Sequence, residues 1–183
     1  LETVLEAMRV LRRFPGAELA IAGNVPTSSG YGAFVRARIA RLGLAGRVKL
    51  LGYLDAPSLA AELATSHAYV IASTAENSPN SLCEAQAVGT PCVASYAGGI
   101  PSLVEDGRTG LLSPPGDAPP LAAQLERVLD DDLLAARLSA AAREEAARRH
   151  DRAAVVAQLL GAYRAVVGGA PTGAEPLAPA RTA

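Results

Sequence analysis

Apolar positions open the chain at helical spacing: Leu1, Val4, Leu5, Met8 and Leu11 recur every three or four residues and predict a first helix, although no capping residue precedes it. A short apolar run over 18–22, closed by Gly23, predicts a buried strand, and a helix over about 34–42 follows. The alternation continues with a strand over 48–51 and a turn holding Gly52, Asp55 and Pro57. A short helix over 58–64 then leads to a strand over 68–72 that is apolar on both faces. Strands of that kind belong to parallel sheets covered by helices on both sides. A helix over 80–88, a strand over 92–95, the loop Gly98-Gly-Ile-Pro101 and an extended piece over 110–112 complete the pattern. Beyond Pro114-Pro-Gly-Asp117, two or three Ala-rich helices run to about residue 167, and the Gly, Ala and Pro of 168–183 predict a disordered tail.

Repeated strand-helix units joined by short turns predict one α/β domain over 1–167, built on an open, doubly wound, Rossmann-like parallel sheet. The ligand site of such a sheet lies beyond the carboxyl ends of its strands. That rule singles out four loops, at 23–26, 52–55, 73–81 and 96–101.

Composition narrows the choice of ligand. The 183 residues carry 17 Lys and Arg against 18 Asp and Glu, and a net charge of -1 gives no electrostatic reason to expect nucleic acid. The uncharged stretch 85–104 approaches the length of a membrane span, but Gly89, Pro91, Gly98, Gly99 and Pro101 break it. Cys83 and Cys92 are too few for a disulfide framework or a zinc site and read as buried, reduced thiols. No signal-peptide pattern opens the chain, so the expected location is the cytoplasm. No initiator Met opens it either, and it reads as starting inside a larger protein.

The loop after the 68–72 strand holds most of the candidate chemistry. If the next helix begins near Asn80, the amides of Asn80, Ser81 and Leu82 have no partner within it and form a ready anion site. Glu84, one turn further on, has the reach to accept two hydroxyl hydrogen bonds from a polyol such as a ribose. Ser81 and Glu84 also have the spacing of a capping box, in which the carboxylate satisfies the amide of the cap residue, and spacing alone leaves both roles open. Glu76, at the strand's carboxyl end, faces the predicted cleft or is simply solvated. Asn77, Ser78 and Asn80 are turn formers. Gly23-Asn-Val-Pro26 follows a strand without the Gly-x-Gly-x-x-Gly fingerprint, so a dinucleotide-dependent dehydrogenase loses support. Gly98-Gly99 either lets backbone approach a ligand or only makes a turn, and His67 and His150 stand alone.

Taken in order, Glu76-Asn-Ser-Pro-Asn-Ser-Leu-Cys-Glu84-Ala, Gly89-Thr-Pro-Cys-Val-Ala94, Gly98-Gly-Ile-Pro101 and Glu105-Asp-Gly-Arg-Thr-Gly-Leu-Leu112 strongly resemble the carboxyl-terminal domain of GT-B retaining glycosyltransferases of family 4. The resemblance covers about residues 1–167. It implies a nucleotide-sugar-binding domain in which Glu76 bonds the hydroxyls of the transferred sugar near the reacting carbon and Glu84 binds the nucleotide ribose. It further implies that the amides of Asn80, Ser81 and Leu82 hold the diphosphate, that the backbone at Tyr53 meets the base, and that Asn77 and Ser78 belong to the same binding loop. The substrate would be a UDP-, GDP- or ADP-sugar, with no metal and no other cofactor.

The departures lie at Asn77, where the family often has Gly, at Ser102, where it often has Glu, and near Asn24-Val25, where its loop is richer in glycine. The family's acceptor domain, with the Arg and Lys that neutralise the leaving diphosphate and any peripheral membrane association, would precede Leu1. Two other readings share the architecture: a nucleotide-binding module without transfer activity, and a sugar-nucleotide epimerase. The epimerase would need acid and base groups facing the sugar, for which the sequence offers Glu76 alone.

Overall fold

The computed structural model describes residues 1–25 and 30–168, so Pro26 of the first candidate loop and the predicted tail beyond Gly168 lie outside the described residues. Among the described residues, twelve helices and strands and one short 3-10 turn follow in this order: α1 (Glu2–Val10), β1 (Leu19–Ala22), α2 (Gly30–Arg41), β2 (Val48–Gly52), α3 (Ala56–Thr65), β3 (Tyr69–Ile71), α4 (Asn80–Val88), β4 (Cys92–Ser95), the 3-10 turn Ile100–Ser102, β5 (Leu111–Ser113), α5 (Ala118–Asp130), α6 (Asp132–Arg149) and α7 (Arg152–Val167). The chain falls into two units, Leu1–Ala146 and Ala147–Ala183. In the second, none of the residues of α7 is buried, and Val155, Val156, Leu159, Leu160 and Tyr163 are all exposed.

The named strands pair in parallel, as predicted, but among the described residues the ladders form two sheets, β1-β2 and β3-β4-β5. Two buried clusters explain how helices cover both sides of the second sheet. Val70, Val93 and Leu111 turn toward the cluster built by α1, α2 and α5, whereas Tyr69, Ile71, Cys92, Ala94 and Leu112 turn toward the one built by α3 and α4. Alternate residues of one strand thus feed opposite cores, which is why β3 and β4 are apolar throughout. Leu19 and Ile21 of β1 join the first cluster, so side chains link the two sheets where no ladder does. Leu5, Leu11, Leu82, Leu111, Leu121 and Leu138 are wholly buried, each contributing roughly 1.5–3 kcal/mol of transfer free energy.

Helix ends follow local chemistry. α3 starts two residues before its predicted position because Asp55 caps it, accepting from the Ser58 amide at 3.0 Å, and Pro57 fits the first turn, where no backbone donor is needed. α2 likewise starts earlier, at Gly30. α4 stops at Gly89, whose φ of 92° is left-handed and whose amide bonds the carbonyls of Ala85 (3.0 Å) and Gln86 (3.1 Å). Cys92 is wholly buried, and burial, with Cys83 nearby, pushes its thiol up to about 12; Cys83 is only partly buried, and neither is in a disulfide. Among the described residues no helix is long and apolar enough to cross a membrane.

Candidate functional site

The carboxyl ends of β3 and β4 carry the candidate site. Beyond β3, the chain turns through Ser73 to Pro79 and enters α4. Beyond β4, Ser95 is buried and donates its hydroxyl to the Ser73 carbonyl at 2.5 Å, which pins the start of one loop to the end of the neighbouring strand. Ser73 in turn donates its Oγ to Glu76 Oε2 at 3.4 Å, and the Asn77 amide donates to Glu76 Oε1 at 3.0 Å. The Gly99 amide donates to the Glu76 carbonyl at 3.1 Å. Glu76 is therefore partly buried and held at both backbone and side chain.

Gly98 and Gly99 serve a purpose between the two that the sequence leaves open. Their backbone does make a close approach, but to the Glu76 loop: a Cβ on Gly98 would overlap the Glu76 carbonyl oxygen, and one on Gly99 would overlap the Asn77 carbonyl oxygen. Gly98 also has a φ of 53°, which favours glycine independently of space.

The cap of α4 is Pro79, which has no side-chain hydrogen bond to offer. Ser81 is accordingly the second residue of the helix, and the capping box with Glu84 does not form. Its hydroxyl lies instead 2.7 Å from the Tyr69 hydroxyl. Glu84 is exposed and has no hydrogen-bond or ion-pair partner among the described residues. Of the three amides expected to be uncommitted, that of Leu82 donates to the Pro79 carbonyl at 3.1 Å, because the first turn tightens, and the Leu82 side chain is wholly buried. The amides of Asn80 and Ser81 remain without a partner within the described protein.

Tyr69 ties these groups together. Burial pushes its phenol up to about 12, the Ser81 hydroxyl pulls the other way, and the charges of Cys92, Glu76 and Glu84 push it further up. The phenol is thus within electrostatic reach of both glutamates. Asn77, Ser78 and Asn80 are exposed, on the connecting loop and first helical turn. Tyr53 sits on the other sheet, directly after β2, where the Gly23 amide bonds the Gly52 carbonyl at 2.7 Å; its ring is 85% exposed.

Sequence reasoning misses Ser73, Ser95 and Tyr69. Ser73 has a local signal, a hydroxyl three residues before Glu76. Tyr69 and Ser95 read as ordinary strand residues, and only the fold brings them to this place. The four candidate loops contain Asp55 and Glu76 and no Lys or Arg, and Glu84 follows in α4, so the site has negative side chains and only neutral donors, backbone amides and Ser and Asn side chains, to offer an anion. Among the described residues no group of three or more His, Cys, Asp or Glu is placed to hold a metal.

Comparison with known proteins identifies the family and the fold. The family model of the glycosyl transferases group 1 matches residues 1–145. Phosphatidyl-myo-inositol mannosyltransferase of Mycolicibacterium smegmatis is 32% identical over 161 residues, 87% of this chain and 40% of its own length. Alpha-D-kanosaminyltransferase of Streptomyces kanamyceticus is 29% identical over 160 residues, again 87% of this chain and 40% of its own. The crystal structure of Anabaena HepE in complex with UDP superposes with a TM-score of 0.80 at 28% identity, covering 89% of this chain and 44% of HepE. This chain thus spans less than half the length of these relatives. With a family model matched over most of its length and the α/β fold of GT-B enzymes, the chain belongs to the glycosyl transferases group 1, as a domain of the GT-B carboxyl-terminal kind.

Proposed function

We propose that this chain is the donor-binding half of a retaining glycosyltransferase, holding a nucleotide sugar while an acceptor hydroxyl is glycosylated. The observation that carries the reading is the division of labour around the start of α4: Glu76 is fixed by its neighbours, whereas Glu84 and the amides of Asn80 and Ser81 have no partner among the described residues. The two amides suit the diphosphate, the Glu84 carboxylate suits the ribose hydroxyls, and Glu76 suits the sugar. Tyr53 offers its backbone to the base, and Asn77 and Ser78 border the same cleft. HepE forms complexes with UDP and with UDP-glucose, which makes a uridine donor the first to test here.

In the reaction, the bond from the anomeric carbon to the diphosphate oxygen breaks and its electron pair leaves with the diphosphate. The acceptor oxygen bonds the same face of that carbon, and its proton passes to the departing phosphate. Positioning and stabilisation of the leaving charge supply the catalysis. Because the candidate loops hold no Lys or Arg, on this reading the charge that balances the leaving diphosphate comes from outside those loops.

Thermal melts with UDP-, GDP- and ADP-sugars test the reading. A donor at 100 times its dissociation constant adds about 2.7 kcal/mol of stability. No stabilisation by any nucleotide or nucleotide sugar would remove it.

A further inference from the structure

The Tyr69–Ser81 pair has no task in the reading above, and it joins a strand buried in the sheet to the first turn of the helix that borders the site. We infer that Tyr69 is a positioning residue for diphosphate binding: its hydroxyl donates to Ser81 Oγ and so turns the Ser81 hydroxyl into a third donor beside the amides of Asn80 and Ser81. This rests on the donor-binding function proposed above.

Three observations lead there. The two oxygens are 2.7 Å apart, within the ordinary range for hydroxyl pairs. A phenol is the stronger acid and the weaker acceptor of the two, so the pair is better made with Tyr69 donating, which leaves the Ser81 hydrogen unspent. Ser81 makes no capping bond, since Pro79 holds the cap position, and its own amide is also uncommitted. One residue therefore presents a backbone and a side-chain donor in a site whose charged side chains are all acidic.

Titration of the 183-residue chain with UDP, inorganic pyrophosphate and uridine tests this, using Tyr69→Phe, Ser81→Ala and Ser81→Thr. Tyr69→Phe keeps the ring in the core and removes only the hydroxyl. It is expected to weaken UDP and pyrophosphate about five- to tenfold and leave uridine unchanged. Ser81→Ala is expected to do the same, the double variant no more than either single one, and Ser81→Thr to retain wild-type affinity. A purely structural role would weaken uridine in step with UDP, and that result overturns the proposal. So does pyrophosphate affinity within twofold of wild type in a folded Tyr69→Phe protein. A wild-type chain that binds neither UDP nor pyrophosphate defeats the donor-binding reading itself, and the proposal falls with it.

Discussion

The Gly99 amide donates to the carbonyl oxygen of Glu76 at 3.1 Å, so the loop after β4 is the floor on which the Glu76 loop rests. Glycine is required at both positions on the floor's side of the contact: Gly98 has a φ of 53°, and a Cβ on Gly98 or Gly99 would enter a carbonyl oxygen of the Glu76 loop.

Gly98→Ala is expected to cost more than about 1 kcal/mol of stability, because strain and overlap coincide. It should also lower donor affinity by displacing Glu76. Denaturant melts and a UDP-glucose titration of the same protein check both effects. Unchanged stability with full donor affinity would show that the loops do not depend on each other.

Tyr69 contributes to the alkaline limit alongside the buried Cys92 thiol, and Tyr69→Phe isolates its share. Its folded value, about 12, is raised above the ordinary value of about 10, so its contribution is whole below pH 10 and is lost as pH climbs from 10 toward 12. Wild type should lose stability relative to Tyr69→Phe across that window, by on the order of 2 to 3 kcal/mol in total. Phenolate absorbance checks the assignment: the step that Tyr69→Phe abolishes should lie near pH 12, not 10.

Asp55 acts at the other end. The Ser58 side chain and then its backbone amide hold the carboxyl below its ordinary range. A depressed folded value means that the contribution is complete above the unfolded value of about 3.9 and fades as pH falls through the folded one. The difference in Tm between wild type and Asp55→Ala should therefore be full at neutral pH and shrink in acid. A difference that persists unchanged to low pH would mean that the charge is irrelevant to the cap.

Much of the fold was legible because its signals are local. The two-sided apolar runs of β3 and β4 announced a covered parallel sheet, and Gly89 marked the end of α4. Local signals also misled where two readings share one spacing. Ser81 and Glu84 have capping-box spacing, yet Pro79 holds the cap; Pro57 suggests a turn, yet stands in the first turn of α3 behind Asp55. The break between the two sheets and the supports of Glu76 were not legible. Ser95 reaches Ser73, and Gly99 reaches Glu76, only because neighbouring strands bring their ends together. The glutamates, by contrast, could be picked out from their spacing and their place beyond a strand.

The central claim gives Glu84 to the nucleotide and Glu76 to the sugar, and titrating UDP into wild type, Glu84→Gln and Glu76→Gln tests it most directly. Glu84→Gln should weaken UDP by about 1 to 3 kcal/mol, the usual worth of a charged hydrogen bond, while its melting temperature stays unchanged because no cap is lost. Glu76→Gln should leave UDP affinity intact and weaken only UDP-glucose. UDP affinity unchanged in Glu84→Gln, or reduced equally in both variants, would contradict the account.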